Sequence, residues 1–206
     1  QSERMTQLTI PLNAQTSFAP EDYVLSESNQ RAYDALMQPI WPDYGLWLHG
    51  PARAGKSHLV SIWAQAAGAD ATLMDPVPDL TDAQTAQRLF HTLNDVKAAR
   101  GRILLVSEHS PAQTPCPLPD LASRIKALPT ATLDAPDDAL LRAVWFKRFS
   151  DKQLQVAPAV IDYLVARAER SFAATYEWAD ALDRAALAQK RAITIPLVKN
   201  LLPEAP

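Results

Sequence analysis

The stretch Gly50-Pro51-Ala52-Arg53-Ala54-Gly55-Lys56-Ser57 has the residue types and spacing of a phosphate cradle. In such a loop the glycines let backbone N–H groups turn inward around a phosphate. The lysine ammonium reaches the terminal phosphates, and the serine hydroxyl suits a bound Mg²⁺. The chain has only 5 glycines, so two of them in one loop is not a compositional accident. A chance match to the pattern would occur in roughly one chain of this length in a hundred. The expected contacts to a nucleotide are therefore residues Gly50, Pro51, Ala52, Arg53, Ala54, Gly55, Lys56 and Ser57, with His58 next on the helix.

A cradle of this kind needs a strand to deliver it and a helix to receive it. Gly45-Leu46-Trp47-Leu48-His49 is a short apolar run that reads as a buried strand. A helix over Lys56–Ala67 follows and stops at Gly68. Its N-terminus adds a favourable dipole and free N–H groups to the loop. Ala71–Met74 reads as a second strand. Thr81-Asp82-Ala83-Gln84 has the capping-box pattern, opening a helix with Ala86, Leu89, Phe90, Leu93 and Val96 on one face. Arg102–Val106 is a third strand, and Thr130–Leu133 a fourth after a short helix from Leu121. An early helix is expected to start at Ser28 or Asn29 and to run to Met37. Strands alternating with helices imply a parallel sheet covered by helices.

The pattern changes after Leu133. Helices are expected from Asp134 or Pro136 to Phe149, from Pro158 to Ala168, from a Ser171 cap to Gln189, and a short one after Thr194. The fold class is therefore α/β, a P-loop domain followed by a small all-helical domain. The expected division is an extended arm over 1–20, the α/β part over 21–134 and the helical part over 135–206.

Composition narrows the function classes. The 206 residues are 48% hydrophobic, enough for a sizeable core, and the net charge is -3. A broad nucleic-acid footprint needs concentrated lysine and arginine, so DNA contact is expected only indirectly. With Cys116 alone no internal disulfide can form, which fits a reduced, cytoplasmic setting. No apolar run is long enough for a membrane span. His49, His58, His91 and His109 lack metal-ligand spacing, and no metal site is assigned. Asp75 and Glu108 each follow an apolar run, where a Mg²⁺ carboxylate would stand, but neither has an adjacent second acid. Trp47, Trp63, Trp145 and Trp178 read as packing residues. Lys147, Arg148 and Lys152 read as one face of a solvated helix.

Three further stretches carry a family resemblance. Gly55-Lys56-Ser57-His58-Leu59 resembles the G-K-[ST]-H-L signature of DnaA and its relatives. Leu118-Pro119-Asp120-Leu121-Ala122-Ser123-Arg124-Ile125 resembles the corresponding stretch of the Hda-type branch. Leu182-Asp183-Arg184-Ala185 and Ile193–Lys199 extend the likeness to the tail. The resemblance implies an AAA+ architecture with a helical lid, ADP or ATP as ligand, and Arg124 as an arginine finger. In that role a guanidinium reaches the terminal phosphate of a nucleotide held by a neighbouring protein. It also implies that Gln7-Leu8-Thr9-Ile10-Pro11-Leu12 binds the DNA sliding clamp, with Gln7, Leu8, Ile10, Pro11 and Leu12 making the contacts. The implied function is negative regulation of replication initiation, by promoting hydrolysis of ATP bound to DnaA. The alternatives are a small P-loop ATPase related to helicase loaders, or an adaptor that binds no nucleotide. Partners would be the clamp and DnaA; whether the chain self-associates is left open.

Two departures from the family pattern bear on activity. The interval between Asp75 and Ile103 holds one helix where the family pattern adds a Mg²⁺-binding strand. Ala173 stands where many relatives have a sensor arginine, and Arg170 lies nearby. Weak or absent intrinsic ATP hydrolysis is expected, and Mg²⁺ binding is doubtful.

Overall fold

The computed structural model describes residues 23–68 and 71–201, so the arm over 1–20 and the stretch Gln7–Leu12 expected to bind the clamp lie outside the described residues. The core is a sheet of four parallel strands: β1 (Gly45–His49), β2 (Ala71–Met74), β3 (Arg102–Ser107) and β4 (Thr130–Thr132). Their order across the sheet is β2-β3-β1-β4. Side chains alternate across a strand, so β1 divides its residues between two apolar layers. Leu46 and Leu48 join Leu104 and Val106 against the first two helices, α1 (Glu27–Met37) and α2 (Lys56–Ala67). Trp47, Ile103 and Leu105 face the other way, against α3 (Ala83–Ala98) and α4 (Pro119–Ala127). The indole of Trp47 is wholly buried, and its N–H donates to the His109 carbonyl at 2.9 Å.

Several element starts differ from the sequence-based expectation. Helix α1 is capped by Ser26 rather than Ser28 or Asn29. Asn29 is instead buried in the first turn. Its side chain accepts from the Ser26 N–H and donates to the Val24 carbonyl, both at 2.8 Å. Helix α3 is capped by Asp82, which accepts from Thr85 N–H at 2.7 Å, while Thr81 is bonded to Asp79. Helix α4 begins at Pro119, two residues ahead of Leu121, because proline at the first helical position gives up only an N–H that has no helical partner there. Strand β2 pairs directly with β3, Thr72 opposite Ile103 and Leu73 opposite Leu104, so no strand separates them and α3 forms the whole crossover.

Four helices complete the described chain: α5 (Asp138–Asp151), α6 (Pro158–Arg167), α7 (Phe172–Gln189) and α8 (Ile195–Leu201). They enclose their own apolar cluster, which includes Trp145, Phe149, Leu164, Leu182 and Val198. Helix α5 starts later than Asp134 or Pro136, because Asp137 caps it by accepting from Leu140 N–H at 2.7 Å. Arg148 and Lys152 are not a solvated face. Arg148 pairs with Asp180 at 3.1 Å, and Lys152 with Asp180 at 3.0 Å and Asp183 at 3.1 Å, tying α5 to α7. Lys147 does pair along its own helix, with Asp151. Among the described residues no helix is long and apolar enough to cross a membrane.

Ser171 is the most confined of the helix caps. It is buried, and its hydroxyl accepts from Ala174 N–H at 3.1 Å while its carbonyl takes the Thr175 hydroxyl at 3.0 Å. Ser171→Ala leaves that N–H without its side-chain partner. It is expected to lower unfolding stability by about 1 kcal/mol, measured by urea denaturation.

Candidate functional site

The phosphate loop connects the end of β1 to the start of α2, at the C-terminal edge of the sheet. Two glycines are required there by close approach. A Cβ on Gly50 would lie 1.9 Å from the Leu133 carbonyl oxygen, which continues beyond β4 and accepts nothing of that size so near. Leu133 N–H donates to the His49 carbonyl at 2.8 Å, so the two chain segments are held at that separation. Gly55 adopts a left-handed φ of 95° and caps α2. A glycine cap offers no side chain to the first N–H groups of the helix, which stay available to an anion. Between the glycines, Arg53 also takes a positive φ of 63°, and Ala54 N–H closes a turn on the Pro51 carbonyl at 3.4 Å.

Lys56 folds over the loop. Its ammonium donates to the carbonyls of Gly50 and Pro51, both at 2.7 Å. Partial burial lowers its pKa, and the carboxylates of Glu108 and Asp75 act in the opposite sense. These are the two acids that end strands β3 and β2, so both candidate Mg²⁺ carboxylates bear on the loop lysine electrostatically. The direct pairing of β2 with β3 makes Asp75 the acid on the strand next to β3. His49 shares a hydrogen bond with the Thr132 hydroxyl at 3.1 Å. Burial lowers its pKa, with Asp134 raising it and Lys56 lowering it further. Ser57 is exposed and His58 is buried at the start of α2. Among the described residues no group of three or more His, Cys, Asp or Glu side chains could hold a metal ion.

The helical part reaches the loop at two points. The ring of Phe172, the first residue of α7, lies against Gly55: a Cβ there would meet its Cε2 at 2.6 Å. Glu169 forms an ion pair with Arg53. Arg170 does not approach the loop. It precedes the Ser171 cap and is bound to Asp138 and to the Pro136 carbonyl, where α5 begins. Ala173 follows Phe172 in the first turn of α7 and brings no charge.

Arg124 sits elsewhere, on α4. Its guanidinium lies 4.7 Å from the centre of the Phe90 ring and donates to the side-chain carbonyl of Asn94. Both partners belong to α3. The arginine is thus half-buried, oriented from one side, and engaged by α3 rather than by its own phosphate loop. The sequence marks residues 50–57 and Arg124 as candidates and puts Phe90 on the apolar face of its helix, but nothing in it singles out Asn94, Glu169 or Phe172. The four-residue spacing from Phe90 to Asn94 puts both on one face of α3, but nothing in the sequence says which helix α4 packs on.

A nucleotide fits this site in part. The loop, the Lys56 ammonium and the free N–H groups of α2 suit a phosphate chain. The space on the far side of Gly55 is filled by aromatic side chains.

Comparisons with known proteins agree with this geometry. Residues 138–202 match the family model described as Hda, lid domain. Domain III of the replication initiation protein DnaA from Thermotoga maritima superposes with a TM-score of 0.76 at 18% identity, covering 94% of this chain and 98% of that one. AMPPCP-bound DnaA from Aquifex aeolicus gives 0.67 at 16% identity, over 84% of this chain and 67% of that one. An uncharacterized protein of Haemophilus influenzae is 30% identical over 115 residues, which is 55% of this chain and 50% of that protein, so the match spans about half the length of that relative. The four-stranded parallel sheet and the helices after it therefore have the fold of DnaA domain III, an α/β domain followed by a helical lid, and the lid is similar to that of Hda.

Proposed function

We propose that this chain regulates replication initiation by supplying Arg124 to ATP held in the P-loop of DnaA, and that it is brought to DNA by its Gln7–Leu12 motif on the sliding clamp. The observation that carries the reading is the setting of Arg124. It is braced by Phe90 and Asn94 of α3 and makes its contacts away from residues 50–57. A guanidinium preset in this way loses little freedom when it meets a phosphate, and its planar fork can take two phosphate oxygens at once. The DnaA-like fold and the Hda-type lid support the choice of partner. On this reading residues 1–20 form the clamp-binding arm, 21–134 the AAA+ domain and 135–206 the lid, and the protein acts in the cytoplasm.

The chain's own loop would hold a nucleotide through Lys56, the N–H groups of α2 and the backbone of residues 50–57, without efficient turnover. Lys56 would offset part of the charge of a nucleotide bound there. Arg53 is turned to Glu169, Arg170 to Asp138, and Ala173 brings no charge, so among the described residues Lys56 is the loop or lid cation placed over the loop carbonyls. A second reading, an adaptor that binds no nucleotide, is favoured by the packing of Phe172 on Gly55. A small independent ATPase would instead need Glu108 or Asp75 to hold Mg²⁺. Steady turnover by the isolated protein, lost in Lys56→Ala, would favour it.

The test is hydrolysis of labelled ATP preloaded on DnaA, with clamp-loaded DNA and this chain added. Arg124→Ala is expected to lower the stimulated rate by about 10³-fold or more, and Arg124→Lys to restore little of it. Unchanged stimulation by Arg124→Ala would sink the proposal. In the same assay Phe90→Ala and Asn94→Ala should each cost roughly tenfold, because each removes one of the two contacts that orient the guanidinium. Asn94→Ala is expected to melt close to the parent chain, whereas Phe90→Ala, which also removes packing on the core under α3, is expected to melt lower.

A further inference from the structure

We propose that Phe172 makes the loop selective for a bare phosphate chain: with the lid as it stands the loop takes an inorganic polyphosphate, and a nucleoside triphosphate binds only when Phe172 leaves Gly55. This rests on reading residues 50–57 as a phosphate cradle.

The two sides of the loop differ in access. On the phosphate side Pro51, Ala52, Arg53 and Ser57 are exposed, and the Lys56 ammonium is spread over two loop carbonyls from which a phosphate can draw it. No lid movement is needed to reach it. On the other side, Phe172 presses on Gly55, while Tyr23, His58, Val144 and Tyr176 close the remaining walls. They leave a cavity of about 10 Å³. A single water needs roughly 10–15 Å³, and small-molecule pockets run from about 300 Å³ upward. A planar base has no room there.

The plug is local. Phe172 is half-exposed, and its backbone is fixed by the buried Ser171 cap and the turn behind it. The second lid contact, Arg53 with Glu169, joins side chains that are 62% and 54% exposed, so it contributes little by itself. Apolar packing of the ring on Gly55 is the main thing a nucleoside must displace. A wall residue also offers a polar handle once the ring has moved. The Tyr23 hydroxyl is buried with no hydrogen-bond partner among the described residues, and burial raises its pKa. It stands edge-on to His58, with ring centres 5.1 Å apart.

The experiment is calorimetric titration of the full chain with inorganic tripolyphosphate and, separately, with ATP. The two ligands share a phosphate chain and differ in the nucleoside. The parent protein is expected to bind tripolyphosphate about tenfold or more tighter than ATP. Phe172→Ala should raise ATP affinity by about tenfold, the equivalent of releasing one buried aromatic contact, and leave tripolyphosphate within about twofold. Phe172→Leu, which keeps an apolar side chain on Gly55, should give a smaller gain, and it serves if the alanine variant melts early. Lys56→Ala should weaken both ligands. Equal affinities in the parent, or an ATP-to-tripolyphosphate ratio unchanged by both Phe172 variants, would overturn the plug while leaving the cradle intact. If tripolyphosphate binds the parent no better than Lys56→Ala, the cradle reading fails and the plug falls with it.

Discussion

Strand β1 has neighbours on both edges and apolar layers on both faces, and that double enclosure constrains everything else. Its edges are taken by β3 and β4, which satisfies its backbone on both sides. Its faces divide Leu46 and Leu48 from Trp47, so one layer of helices must cover each side. A strand held this way can end only at the sheet's C-terminal edge. The chain must turn there at once, because Gly50 lies against the Leu133 carbonyl with no room for a side chain. The phosphate loop is thus the exit from the most confined strand. Its shape is imposed by the sheet before any ligand is considered.

That constraint separates two chemical roles. The loop is fixed by β1 and α2, and the lid reaches it through the Phe172 ring on Gly55 and the Glu169 pair with Arg53. Arg124 belongs to another part of the sheet, on α4, and takes its orientation from α3. The two cationic centres are therefore built on different supports. A phosphate in the loop would meet the Lys56 ammonium, whereas Arg124 is held by Phe90 and Asn94 of α3. The start of α7 brings no cation to the loop: Arg170 is bound to Asp138 at the junction with α5, and Ala173 leaves the first turn neutral.

The elements were legible in the sequence where local chemistry decides them. Gly68 stops α2 with a positive φ and Pro158 opens α6, as their backbone preferences require, whereas at the end of α3 it is Arg100 rather than Gly101 that turns left-handed. Element starts were less legible where several polar residues competed. Ser26, Ser28 and Asn29 could each cap α1, and burial of Asn29 settled the choice. Contacts between distant segments left no local trace. The pairing of Arg148 and Lys152 with α7, and of Arg124 with Phe90, depends on helix packing that periodicity does not encode. The same holds for Phe172: a phenylalanine after a serine cap looks like any helix start until the lid is placed on the loop.

The central claim is that Arg124 serves a nucleotide bound by a partner. The most direct measurement is a structure of this chain in complex with DnaA loaded with a non-hydrolysable ATP analogue, on clamp-bearing DNA. The account predicts the Arg124 guanidinium within about 2.7–3.2 Å of a terminal phosphate oxygen of the DnaA-bound analogue. It is contradicted if Arg124 remains on Phe90 and Asn94, remote from that nucleotide, in a complex that hydrolyses ATP when the natural substrate is supplied.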